Sequence, residues 1–154
     1  MATKAAIDAF LGRRRLAVVG VSRDDKDFSR AVLRAFTDRG YDAVPVNPAG
    51  GEVEGRTVAK GIRELSPPVE AALLLTPPAA TAAVVRECAE AGVRQVWMHR
   101  GAGRGAVSDE AVAFCREHGI DVVDGACPFM FLPGTGTGHR VHRFVLRLLG
   151  RLPA

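Results

Sequence analysis

LAVVGVSRDDKDFSRAVLRAFTDRGYDAVPVNP, residues 16–48, holds two short apolar runs on either side of one amphipathic stretch. LAVVGV (16–21) and DAVPVN (42–47) are continuously apolar and rich in β-branched residues, the pattern of strands buried on both faces. Between them Ser29 can cap a helix running to Arg39. Val32, Leu33 and Phe36 fall on one face of it, and Gly40 stops it. Strand, helix and strand make one β-α-β unit.

The alternation continues through the chain. EAALLLT (70–76), RQVWMH (94–99) and IDVVDG (120–125) predict three more strands. Pro77 and Pro78 open a helix over 79–91, stopped by Gly92. Ser108, followed by Glu110 and Ala111, opens another through Glu117 to His118, stopped by Gly119. Residues 48–69, with Gly and Pro at both ends, predict a loop and one short helix near Gly61 to Leu65. Right-handed crossovers turn such units into an open parallel sheet with helices on both faces. The predicted fold is α/β, a Rossmann-like, doubly wound, five-stranded parallel sheet in the order 3-2-1-4-5, with Gly20 at the carboxyl end of the central strand. A helix at about Lys4 to Leu11 and a C-terminal helix at about 139–150 are additions to it. The length, 154 residues, is that of one domain, so 1–154 is expected to share one core.

Composition narrows the class. Apolar residues are 47% and charged residues 25%, a globular balance. No apolar run reaches the roughly 20 residues of a membrane span, and the start has no secretory pattern, so a cytoplasmic location is expected. Cys88, Cys115 and Cys127 show no ligand spacing and read as reduced core residues. The net charge of +4 sits at one end. Residues 134–154 carry Arg140, Arg143, Arg147 and Arg151 and no acid, while the rest of the chain is balanced. A basic end suits an anionic partner such as a phosphate, a nucleic acid or a membrane surface.

In such a sheet, ligands bind at the carboxyl ends of the strands, beside the point where strand order reverses. Gly20 there lets backbone approach a ligand, Ser22 offers a hydroxyl, and Arg23 and Arg30 offer charge. The next helix starts near Ser29, where free N–H groups and the helix dipole favour an anion. The loop therefore predicts phosphate binding. An ordinary dinucleotide site is not predicted. The second and third glycines of GxGxxG are replaced by Ser22 and Asp25, and the second strand ends in Asn47 and Pro48 rather than an acidic residue.

VVGVS followed by FSRAVLRAFTDRGYDAVPVNPAGGEVEGRTV resembles the stand-alone bacterial CoA-binding domain family. It is also similar to the CoA-binding domain of the succinyl-CoA synthetase alpha subunit. LLLTPPAATAAVVRECAEAGVRQVWMHRGAG resembles that family's third strand, proline-opened helix and fourth-strand loop, and VVDGACPFMF its fifth strand and Cys-Pro turn. The resemblance covers about residues 7–133 and implies CoA, or an acyl-CoA, as ligand. By that resemblance Gly20, Val21, Ser22 and Arg23 hold the pyrophosphate. Asn47 and Pro48 lie beside the adenosine, Thr76 and Pro77 flank the nucleotide, and Met98, His99 and Arg100 lie at the pantetheine side. Ala49, Gly50 and Gly51 stand where the family often has a lysine, and Arg100 where it often has an acid.

No catalytic residue and no metal ligand set is read from the sequence. His118, His139 and His142 suit solvated or packing roles, and His99 alone falls on a predicted ligand loop. Cys127 is followed by Pro128, Phe129, Met130 and Phe131, which favour burying it. The C-terminal helix places Val141, Phe144, Val145, Leu148 and Leu149 on one face, suited to the sheet or to a second copy of the chain. Phe144 alone stands among its arginines and is assigned to the apolar face, which argues against nucleic-acid stacking. The expected function is non-catalytic binding of CoA or an acyl-CoA, the partner being a small nucleotide-like molecule. The alternatives are a subunit or enzyme of acyl-CoA metabolism using His99 or Cys127, and a nucleotide-sensing regulator binding nucleic acid through its basic helix.

Overall fold

The computed structural model describes residues 2–101 and 105–134. The basic C-terminal helix expected at 139–150 lies outside the described residues. The N-terminal helix α1 spans Lys4–Leu11, where Thr3 caps it by accepting from the Ala6 amide. The strands are β1 (Arg15–Val19), β2 (Asp42–Val46), β5 (Ala71–Leu74), β6 (Gln95–His99) and β7 (Asp121–Ala126). Between β2 and β5 lies a small antiparallel ladder of β3 (Glu52–Val53) and β4 (Arg56–Thr57). The crossover helices are α2 (Phe28–Thr37), α3 (Pro78–Glu90) and α4 (Asp109–Glu117). α3 begins after Pro77 and α4 is capped by Ser108, as the sequence predicts. The short helix expected near Gly61 is one 3-10 turn, Ile62–Glu64.

The five long strands form one parallel sheet, Rossmann-like and covered on both faces. Alternate residues of β1 serve the two sides. Leu16 and Val18 join Phe10, Val32, Phe36 and Trp97 under α1 and α2. Ala17 and Val19 join Val85, Cys88, Met98 and Cys115 under α3 and α4. That is why the strands read as unbroken apolar runs. Trp97 is fully buried, meets Phe10 edge to face at 5.3 Å and donates its indole N–H to the Ala126 carbonyl at 2.8 Å.

The strand order corrects the sequence reading. The third long strand, β5, lies beside β1 rather than outside β2, so the five run β2-β1-β5-β6-β7 and β5 holds the centre. The cause is the segment after β2. Ala59 forms a single parallel bridge to Val46, with Asn47 N–H donating to the Ala59 carbonyl and Ala59 N–H to the Pro45 carbonyl. The outer edge of β2 is thus already taken, and the next strand crosses to the free edge of β1. Counted as a rudimentary strand, Ala59 restores the doubly wound order, with the reversal between β1 and β5.

Candidate binding cleft at the strand ends

At the carboxyl ends of the strands, beside that reversal, lies a cleft of about 610 Å³. Of the residues singled out from sequence, Gly20, Ser22, Arg23, Ser29, Asn47, Thr76, Pro77 and His99 line it. The loop after β1 forms its floor. Gly20 has φ +95°, and its N–H donates to the Val46 carbonyl at 2.8 Å. A Cβ on Gly20 would stand 3.0 Å from the Leu75 carbonyl oxygen. Two loops from neighbouring strands therefore approach each other with no side chain between them.

The start of α2 differs from expectation. Asp27, not Ser29, caps the helix, accepting from the Ser29 amide at 2.8 Å and from the Ser29 hydroxyl at 2.5 Å. Ser29 in turn accepts from the Ser22 amide at 2.8 Å. A carboxylate already sits at the helix start, so the expected free anion position there is occupied. Ser29 ties the loop down.

Five of the singled-out residues do not line the cleft. Val21 is buried, and its carbonyl accepts from the Asn47 side chain at 3.0 Å. Pro48 is exposed beside the cleft, and Met98 is wholly in the core. Arg100 runs along Gly125, where a Cβ would meet its side chain at 3.1 Å. Arg30 is buried with 8% exposure and lines nothing. Its guanidinium donates to Glu54 Oε1 at 2.7 and 3.0 Å and to the Arg23 carbonyl at 3.0 Å. It holds the shape of the loop from behind.

Two hydroxyls join the loops after β5 and β6. Thr81 donates its one proton to a carbonyl, Ala106 at 2.7 Å or Pro77 at 3.3 Å. The 2.8 Å contact between the two threonines must then be Thr76 donating to Thr81. Thr76 thus presents only lone pairs to a ligand, as a partner for a hydroxyl or amide N–H. Sequence reasoning missed Asp27, Phe28, Ala49, Leu75, Gly105 and Ala106, which also line the cleft. The signal for Phe28 was available: a large apolar residue stranded in the polar run SRDDKDFSR.

His99 ends β6 and is half-buried, and its Nε2 has no hydrogen-bond partner among the described residues. Burial holds its pKa below the ordinary histidine value of 6.5, so the imidazole is neutral at neutral pH. The native state resists the proton that the unfolded chain accepts. Stability therefore falls as pH drops below 6.5 toward the lower folded value. His99→Gln is expected to remove that component, seen as a shallower loss of denaturant midpoint between about pH 7 and pH 5. An identical slope in both proteins would show that His99 does not carry it.

The thiols are poor nucleophiles. Burial pushes Cys115 up to about 11, and raises Cys127 and Cys88 as well. Among the described residues, no group of three or more His, Cys, Asp or Glu side chains could hold a metal ion. No helix among them is long and apolar enough to cross a membrane.

Fold and cleft together define a doubly wound α/β protein with an open cleft at its switch point, where proteins of this architecture bind ligands. The chain belongs to the CoA binding domain family, whose model matches residues 14–133. It is 30% identical over 126 residues to the uncharacterized protein YneT of Bacillus subtilis, covering 81% of this chain and 90% of that one. It is 27% identical over 129 residues to the acetate–CoA ligase (ADP-forming) II subunit alpha of Pyrococcus furiosus, covering 79% of this chain but 28% of that one. A solved structure, a hypothetical protein from Pyrococcus horikoshii, superposes with a TM-score of 0.74 at 24% identity, over 82% of this chain and 87% of that one.

Proposed function

We propose that the chain binds CoA or an acyl-CoA in this cleft and performs no chemistry on it. The observation that carries the reading is the cleft itself. In a chain of the CoA binding domain family, an open site of about 610 Å³ lies at the switch point, over a glycine that brings backbone to its floor. The pyrophosphate lies against Gly20 to Ser22, with Arg23 as its cation. Arg23 holds the Ala49 carbonyl at 2.9 Å through one nitrogen, which leaves the rest of its fork for an anion. Asn47 and Pro48 flank the adenosine, and the pantetheine arm runs past Thr76 and Pro77 toward His99. Arg30 and Ser29 act by fixing the loop. In this reading residues 1–154 are one cytoplasmic domain.

A second reading, a subunit of acyl-CoA metabolism, is favoured by the likeness to the archaeal ligase alpha subunit. It requires a partner chain that co-purifies.

Calorimetric titration tests the first reading. CoA is expected to bind at least tenfold more tightly than NAD, roughly 1.4 kcal/mol, because the glycine pattern and ribose acid of a dinucleotide site are absent. Arg23→Ala should weaken CoA by roughly tenfold or more through loss of a charge-assisted hydrogen bond. Equal or reversed affinity for the two ligands would overturn the reading.

A further inference from the structure

The two ends of the cleft differ chemically, and the sheet order sets how far apart they lie. Asn47 follows β2 and Gly20 follows β1, whereas His99 ends β6. Neighbouring strands are about 4.8 Å apart, so the ends of β2 and β6 are separated by roughly 14 Å. At the near end the walls are Ser22, Arg23 and Asn47. At the far end Phe28 reaches across from the start of α2 and lies on His99, with ring centroids 4.9 Å apart. Phe129 closes on the same ring edge to face at 5.6 Å.

Phe28 is 44% exposed, the one large apolar side chain left exposed among the described residues. It borders the cleft and packs on two other rings, yet much of it has no apolar cover. Exposure of that kind at a cavity wall marks a contact surface for a ligand.

Resting on the reading that CoA lies with its pyrophosphate over the β1 loop, we propose that Phe28, His99 and Phe129 form an acyl subsite. The ligand is then a thioester carrying an apolar acyl group, in preference to free CoA. A pantetheine arm laid along the strand ends from the polar end brings its sulfur toward β6. A bare thiol is too small to cover Phe28, whereas an acyl chain removes that ring from water and is itself desolvated there. The imidazole beneath is uncharged at neutral pH and suits an apolar neighbour. The rival arrangement stacks the adenine on Phe28, which would leave the acyl group in solvent.

Calorimetric titration of CoA and hexanoyl-CoA against the native protein, Phe28→Ala and Phe28→Leu separates these arrangements. Hexanoyl-CoA should bind the native protein roughly tenfold or more tightly than CoA. The ratio should fall to about two or less in Phe28→Ala and largely survive in Phe28→Leu, which keeps apolar bulk. Unfolding curves establish that each variant is folded. Equal affinities in the native protein would overturn the acyl subsite and leave CoA binding standing, whereas no binding of either ligand would overturn both. A ratio that persists in Phe28→Ala, or an equal weakening of both ligands, would also overturn it, the second outcome by placing the base on the ring.

Discussion

Replacing Gly20 by valine is expected to abolish CoA binding and to destabilise the fold. Two effects act at one atom. The backbone at Gly20 has φ +95°, a conformation that costs an L-residue on the order of 1–3 kcal/mol. The new Cβ would also stand 3.0 Å from the Leu75 oxygen and 3.1 Å from its carbon, closer than ordinary packing allows. Neither side can give way easily. Gly20 is held by its bond to the Val46 carbonyl, and Leu75 by its own bond to the Val19 carbonyl at 2.8 Å. Relief comes only by parting the loops after β1 and β5, which is where the reading places the pyrophosphate. Titration should show no heat at CoA concentrations that saturate the native protein, and the unfolding midpoint should drop. Gly20→Ala meets the same oxygen without the branched methyls and should show a smaller loss of both kinds. Native-like CoA affinity in a folded Gly20→Val protein would move the pyrophosphate off this loop.

The parts of this molecule that were legible in the sequence are those governed by local rules. The unbroken apolar runs located all five long strands, and Pro77 and Ser108 marked the starts of α3 and α4 through elementary capping chemistry. Strand order was not legible in the same way. It turned on one bridge at Ala59, inside a stretch too short to register as a strand. Asp27 and Ser29 are both good capping residues two positions apart, and Ser22 decides between them by donating to the Ser29 hydroxyl. Within the site, Arg23 and Arg30 carry the same charge in the same segment. Arg30 falls on the buried side of α2, beside Val32 and Leu33, and its partner Glu54 comes from the turn between β3 and β4. No periodicity announces a contact between residues so far apart in the chain.

That contact makes Arg30 the more consequential of the two arginines for the fold. Arg30→Ala is expected to lower stability by about 2–3 kcal/mol. Breaking a fully buried ion pair costs about 3–5 kcal/mol, and Glu54 is partly solvated, so the figure is discounted. Arg34 also pairs with Glu54, at 2.7 Å, so the carboxylate is not stranded. What is lost is the bridge from Glu54 to the Ser22 and Arg23 carbonyls, which Arg30 reaches at 3.4 and 3.0 Å. The loop that carries Ser22 and Arg23 is then free to shift, and CoA affinity should fall by roughly tenfold although Arg30 does not line the cleft. Arg30→Lys should recover little, because one ammonium cannot span the carboxylate and two carbonyls as a planar fork does. The acid limb gives an independent signature. Hydrogen bonds from Arg34 and then Arg30 hold Glu54 below its ordinary value of 4.5. Its contribution is present above that pH and is lost as pH falls through the lower folded value. In Arg30→Ala that acid-induced loss should be smaller than in the native protein. Denaturation curves at neutral pH and below pH 4.5, set beside CoA titrations, test both halves. A variant that loses stability yet binds CoA as the native protein does would show that the loop keeps its shape without Arg30.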